Sequence, residues 1–189
     1  MHLTLSIIMD ELAGFKPIVH KMSNIIEQIQ GFHYYSTEST EISSEYLYVG
    51  TGKAGKVFGK NCPKHILITG DMIPKEIHEK ADTLIQIPGN ISVEVLLQTG
   101  HEIFASFESW YNSLLMAVIE HKTINVFLEI AVQKFINPLA VFNNNSSTIS
   151  SAGSFLKPVK GTIWEHMSRP GFVLGIFFTL QDMRNISRH

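Results

Sequence analysis

From Val93 onward, apolar residues recur at helical spacing: Leu96, Leu97, Gly100, Phe104, Phe107, Trp110 or Tyr111, Leu114, Leu115 and Val118. The stripe holds for about thirty residues, or ~45 Å of continuous helix at 1.5 Å per residue. The usual helix has about 11–12 residues. A helix of this length packs along its own domain, joins that domain to something else, or pairs with the same helix of a second subunit. Pro88-Gly89-Asn90 breaks the chain in front of it, and Asn90 or Ser92 is placed to cap its first turn. Residues 91–122 therefore read as a connecting and dimerisation helix. Leu97, Phe104, Phe107, Tyr111, Leu114 and Val118 are expected to pack on it or across a homodimer.

The ninety residues before the helix have a different texture. Tyr46-Leu47-Tyr48-Val49, Ile66-Leu67-Ile68-Thr69 and Leu84-Ile85-Gln86-Ile87 are short, β-branched or aromatic runs bounded by Gly or Pro, the pattern of buried strands. A further strand is expected near 30–36, ahead of the polar run STESTEISSE. Leu5, Ile8, Met9 and Leu12 share one face of a short opening helix that ends near Gly14, with Pro17 just beyond. IPKEIHEKADT places Pro74 in the first turn of another helix. Residues 1–90 thus predict a small mixed α/β domain.

Beyond the long helix, Ile124, Phe127, Leu128, Ala131, Val132 and Phe135 form a second helical pattern. Leu139–Phe142 and Thr148–Ser151 read as two strands joined by an Asn-rich turn tolerant of positive φ. Residues 153–161 are expected to form a loop, and 162–168 and 179–187 short helices. About fifty residues from Pro138 onward are few for an independent domain.

Charged residues make up 17% of the chain, against an average of about 25%, so apolar surface is available for an interface. The net charge of −2 and the scattered Lys and Arg provide no field for nucleic acid, and no direct nucleic-acid binding is expected. Cys62 is the lone cysteine, which excludes an internal disulfide. No apolar run approaches the ~18 residues of a membrane span. The start of the chain lacks a basic leader, so a cytoplasmic location is expected.

One stretch suggests chemistry. In YVGTGKAGKV, Gly50, Gly52 and Gly55 spell G-x-G-x-x-G, while Gly50 with Gly55-Lys56 spells most of a Walker A loop. A dinucleotide turn needs a preceding strand, a following helix and an acid about twenty residues on. The strand is present and Asp71 supplies the acid. However, Lys56 to His65 contains Gly59 and Pro63 and leaves no room for a helix whose N-terminus would hold a pyrophosphate. The Walker pattern also meets Val57 where a Mg²⁺-binding hydroxyl belongs. A polar turn between two strands explains the glycines instead. Gly50, Gly52, Gly55 and Lys56 remain the candidate ligand-binding residues of a nucleotide-binding alternative.

His78 and Asp82 share a helical face, but two ligands do not make a three-ligand zinc site. Neither G-x-S-x-G nor a base near Cys62 is present. No catalytic residue, metal or cofactor is assigned.

In order, SEYLYVG (44–50), ILITG (66–70), IPKEIHEKADTLIQIP (73–88) and EVLLQTGHEIFASFESWYNSLL (94–115) resemble the N-terminal part of bacterial transcription regulators of the purine-catabolism-regulator (PucR-like) type. LEIAVQKFINPLAVFNNNSSTISSAGS (128–154) and TIWEHMSRPGF (162–172) extend the likeness over nearly the whole chain. Asn143 and Asn144 stand where that family often carries Asp.

The resemblance implies three parts: an α/β regulatory domain over 1–90, the connecting helix over 91–122, and an incomplete PAS-like or GAF-like sensor domain over 123–189. It also implies a non-catalytic sensor of a small-molecule effector, acting through a helix-turn-helix that this fragment does not contain. A protein-interaction module without a ligand is the remaining alternative.

Overall fold

The computed structural model describes residues 1–22, 24–35, 42–51, 62–73, 75–135, 138–144 and 147–153. The chain is mixed α/β and divides into two compact units, Met1–Glu108 and Ser109–His189.

In the first unit, β1 (Leu3–Thr4) leads into α1 (Leu5–Glu11). Leu5, Ile8 and Leu12, spaced three and four apart, are fully buried. β1 pairs antiparallel with β3 (Gln28–Ile29). The main sheet contains β2 (Ile18–Lys21), β4 (Gly31–Tyr34), β5 (Tyr46–Thr51), β6 (His65–Thr69) and β7 (Thr83–Ile87), in the spatial order β2-β7-β6-β5-β4. β4 to β7 run parallel, and β2 closes one edge antiparallel to β7.

The central strands are mostly apolar, as a parallel sheet covered on both faces requires, with His65, Thr69, Thr83 and Gln86 as buried polar residues among them. β6 and β7 are buried at every residue. β2 is a strand to which the sequence pattern assigns nothing. All four of its residues are exposed, so no buried alternation marks it. Ile25 and Ile26, apolar in the sequence, face solvent, whereas Ile29 is buried.

Alternation along the strands assigns the two faces. Tyr48, Ile66, Ile68 and Leu84 form one, and against it pack Ile42, Cys62, Ile73, Ile77 and Ala81. Those residues come from each of the three connections between successive parallel strands, including α2 (Lys75–Lys80). The described parts of all three crossovers therefore lie on the same face, as right-handed connections between sequentially ordered strands demand. Leu47, Val49, Leu67, Ile85 and Phe32 point to the opposite face.

That opposite face receives the start of α3 (Val93–Ile119). Within this unit Val93, Leu96, Gly100, Ile103 and Phe107 are the buried positions of the helix. Gly100 sits directly on Phe32: a Cβ there would overlap the ring and lie 2.8 Å from the Phe32 Cβ. Phe104 meets the same ring edge to face, with centroids 6.5 Å apart.

The second unit contains the last turns of α3, then α4 (Ile124–Ala131), β8 (Leu139–Phe142) and β9 (Thr148–Ala152). α3 ends in a Schellman arrangement: His121, at φ 51°, donates to the Val118 carbonyl, and Lys122 donates to that of Ala117. Trp110 Nε1 donates to the Ile130 carbonyl at 3.0 Å, and its ring meets Phe135 edge to face.

β8 and β9 form an antiparallel hairpin with a bulge between Val141 and Phe142. Asn143 closes its turn twice, donating from its backbone N–H to the Ser147 carbonyl and accepting the Ser147 N–H on Oδ1. The loop expected over 153–161 is described no further than Gly153, and the helices expected over 162–168 and 179–187 lie outside the described residues.

Candidate functional site

Ligands of open parallel sheets bind beyond the carboxyl ends of the strands, where neighbouring connections leave toward opposite faces and open a crevice. The first unit has such a place between β6 and β7. The connection leaving β6 passes to the face that carries α2, while the one leaving β7 passes to the face that carries α3. At that point lies a cleft of about 410 Å³, lined by Thr51, Thr69, Gly70, Asp71, Met72, Gly89, Asn90 and Ile91. The volume falls in the range of small-molecule sites, roughly 300–1,000 Å³.

The cleft is shaped by two left-handed glycines. Gly70 at φ +101° turns the chain at the end of β6, and Gly89 at φ +86° does so after β7. Neither glycine faces any atom within 4 Å where a Cβ would be, so bare backbone borders the opening.

The two turns are tied together. Gly70 N–H donates to the Ile87 carbonyl at 3.0 Å, and Gly89 N–H donates to Asp71 Oδ1 at 3.2 Å. The buried Gln86 amide lies beside Gly70 and donates through Nε2 to the Gly70 carbonyl at 2.6 Å. That assignment leaves Gln86 Oε1 to accept from His20 Nε2 at 2.8 Å, which puts the imidazole proton on Nε2. Gln86 thus links the β2 edge to the wall of the cleft and acts as a positioning residue.

The far rim leads straight into α3. Ile91 is followed by Ser92, whose Oγ accepts the Val95 N–H at 3.3 Å and caps the helix. Glu94 sits in the first turn, its carboxyl held below the usual range by a hydrogen bond to its own backbone and another to Ser92.

The structure corrects the reading of the glycine-rich stretch. Gly50 is a buried strand residue, paired in register with Ile68, and does not belong to a loop. β5 and β6 are parallel, so a polar turn cannot join them. The connection has to return from the C-terminal end of one strand to the N-terminal end of the next. Gly52, Gly55 and Lys56 lie outside the described residues. Thr51, the last residue of β5, reaches the cleft, as does Asp71, the acid singled out by its spacing. Gly70, Gly89 and Asn90 were readable as turn residues, but nothing local marks them as one site.

The residues expected along the long helix occupy different environments. In the first unit Leu97 and Phe104 are half-buried and Phe107 is buried. Ile103, absent from the expected stripe, is buried as well. In the second unit Leu114 is half-buried, while Tyr111 and Val118 are 51% and 59% exposed. Leu115 and Ile119 share the exposed face with them at spacings of three and four.

His65 and Cys62 have definite surroundings. His65 is fully buried at the N-terminal end of β6. The Glu27 carboxylate is 3.3 Å from its Nε2 but out of line for a hydrogen bond, and no partner meets its Nδ1 among the described residues. Cys62, in the connection from β5 to β6, is half-buried against the sheet, and that burial pushes its thiol up, partly offset by the Lys80 ammonium. Among the described residues no group of three His, Cys, Asp or Glu is arranged to hold a metal, and no helix is long and apolar enough to cross a membrane. Comparison of the chain with protein-family models, curated proteins and solved structures returns no match.

Proposed function

We propose that this chain is the non-catalytic sensory and dimerisation region of a bacterial transcription regulator of the PucR-like type, with the DNA-binding helix-turn-helix outside it. In this reading the cleft takes a small-molecule effector and the protein works in the cytoplasm. The second unit opens a PAS-like sensor domain, a reading supported by its helix followed by an antiparallel hairpin.

One observation carries the proposal: the rim Gly89-Asn90-Ile91 runs without interruption into Ser92, the cap of α3. A ligand that touches the rim acts on the first turn of the longest helix among the described residues. Its binding energy reaches a distant domain by favouring one of two arrangements of that helix. The exposed row Tyr111, Leu115, Val118 and Ile119 supports pairing of two such helices in a homodimer, since contiguous exposed apolar surface marks an interface.

Light scattering on the purified chain at tens of micromolar tests the dimer. A dimeric mass is expected, and it should fall to that of the monomer in Leu115→Asp/Val118→Asp while far-UV circular dichroism is unchanged. A monomeric mass for the parent chain would overturn the homodimer.

A further inference from the structure

The chemistry of the cleft wall narrows what it accepts. Asp71 is the one charged side chain among the eight described lining residues. One of its oxygens receives the Gly89 N–H, and the other keeps its capacity to accept. Thr51, Thr69 and Asn90 add neutral groups that both donate and accept, and Met72 and Ile91 add apolar surface. Met72 is 77% exposed at the mouth, so its side chain is available to cover a bound molecule. An anionic head would meet a carboxylate with no basic side chain among the described lining residues to offset it, whereas a hydrogen-bond-donating cation would meet a matched acceptor.

We infer that the cleft is a site for a small amine, whose ammonium group is held by Asp71 while its apolar body lies against Met72 and Ile91. This rests on the reading of the cleft as an effector site and specifies the class of effector. Asp71 then has two tasks, holding the Gly89 turn through Oδ1 and receiving the ligand through Oδ2. Binding draws the two turns together next to the cap of α3.

The test uses the full ¹⁵N-labelled chain and two probes of the same shape and opposite charge, 3-phenylpropan-1-amine and 3-phenylpropionate. Each is added to ~5 mM, where a ligand with Kd of about 1 mM is mostly bound. Glycine amides resonate apart from most others, so Gly70 and Gly89 report on the cleft directly. The amine is expected to shift both resonances in a saturable manner and the carboxylate to leave them in place. Asp71→Asn keeps an acceptor for the Gly89 N–H but removes the charge, and it is expected to weaken the amine about tenfold.

Equal binding of the carboxylate, undiminished amine binding in Asp71→Asn, or binding by neither probe would overturn the assignment. The same spectra separate this from the sensory reading. Amine binding that leaves the amides of 93–103 unmoved upholds the ligand class and removes the coupling to α3. Carboxylate binding that moves those amides does the reverse.

Discussion

Gly100→Ala probes the contact that seats α3 on the sheet. In an exposed helix interior this substitution stabilises by about 1 kcal/mol, because glycine is the more flexible residue in the unfolded chain. At Gly100 the added methyl would overlap the Phe32 ring and lie 2.8 Å from its Cβ. The ring has little freedom to yield, since Phe104 meets it from the helix and Phe32 pairs with Leu47 in the sheet. Overpacking of this kind costs about 3 kcal/mol, at the upper end of its usual range. Subtracting the propensity gain leaves a net destabilisation of about 2 kcal/mol.

The loss should shrink when Phe32 is cut back. Phe32→Ala alone costs about 3–5 kcal/mol, but in the Gly100→Ala background the new methyl fills part of the space, so the two changes couple by about 1–2 kcal/mol. Gly14→Ala serves as the control, because nothing lies within 4 Å of its would-be Cβ. It should leave stability unchanged or raise it by up to about 1 kcal/mol. Urea unfolding followed by circular dichroism measures the parent and the four variants. A Gly100→Ala protein at least as stable as the parent, or strict additivity with Phe32→Ala, would refute this packing of α3 against β4.

Two further outcomes are expected. His121→Gly should raise stability by about 1 kcal/mol in thermal or urea unfolding, since a side chain at φ 51° is strained at the helix end where glycine is not; a decrease would refute the left-handed cap. Burial raises the Cys62 thiol above its ordinary value, so folding favours the protonated form. Its contribution to stability is complete below the unfolded-state value near 9.0 and is lost as pH climbs through the folded-state value. Stability should therefore decline above about pH 9.0 less steeply in Cys62→Ala than in the parent, and disulfide-reagent labelling at pH 8 should be slower than for an unfolded thiol.

Much of the local structure was legible. Tyr46–Val49, Ile66–Thr69 and Leu84–Ile87 became the core of three central strands because a strand buried on both faces is apolar along most of its length. The stripe from Val93 became a helix to Ile119, and the Asn-rich turn closed a hairpin between the two predicted strands. β2 was illegible because an exposed edge strand has no buried period to display. Gly50 misled because a glycine pattern is the same string whether its first member lies in a loop or in a ladder.

The sequence by itself determined the three central strands, the long helix and the hairpin strands, since those depend on residues three, four or two positions apart. Tertiary structure alone decided that the strands are parallel neighbours, that the described parts of the crossovers occupy one face and α3 the other, and that the cleft consequently opens between β6 and β7. Thr51, Asp71 and Gly89 meet there from the ends of three strands. Their proximity is set by strand order and by the hand of the connections, which no local spacing encodes.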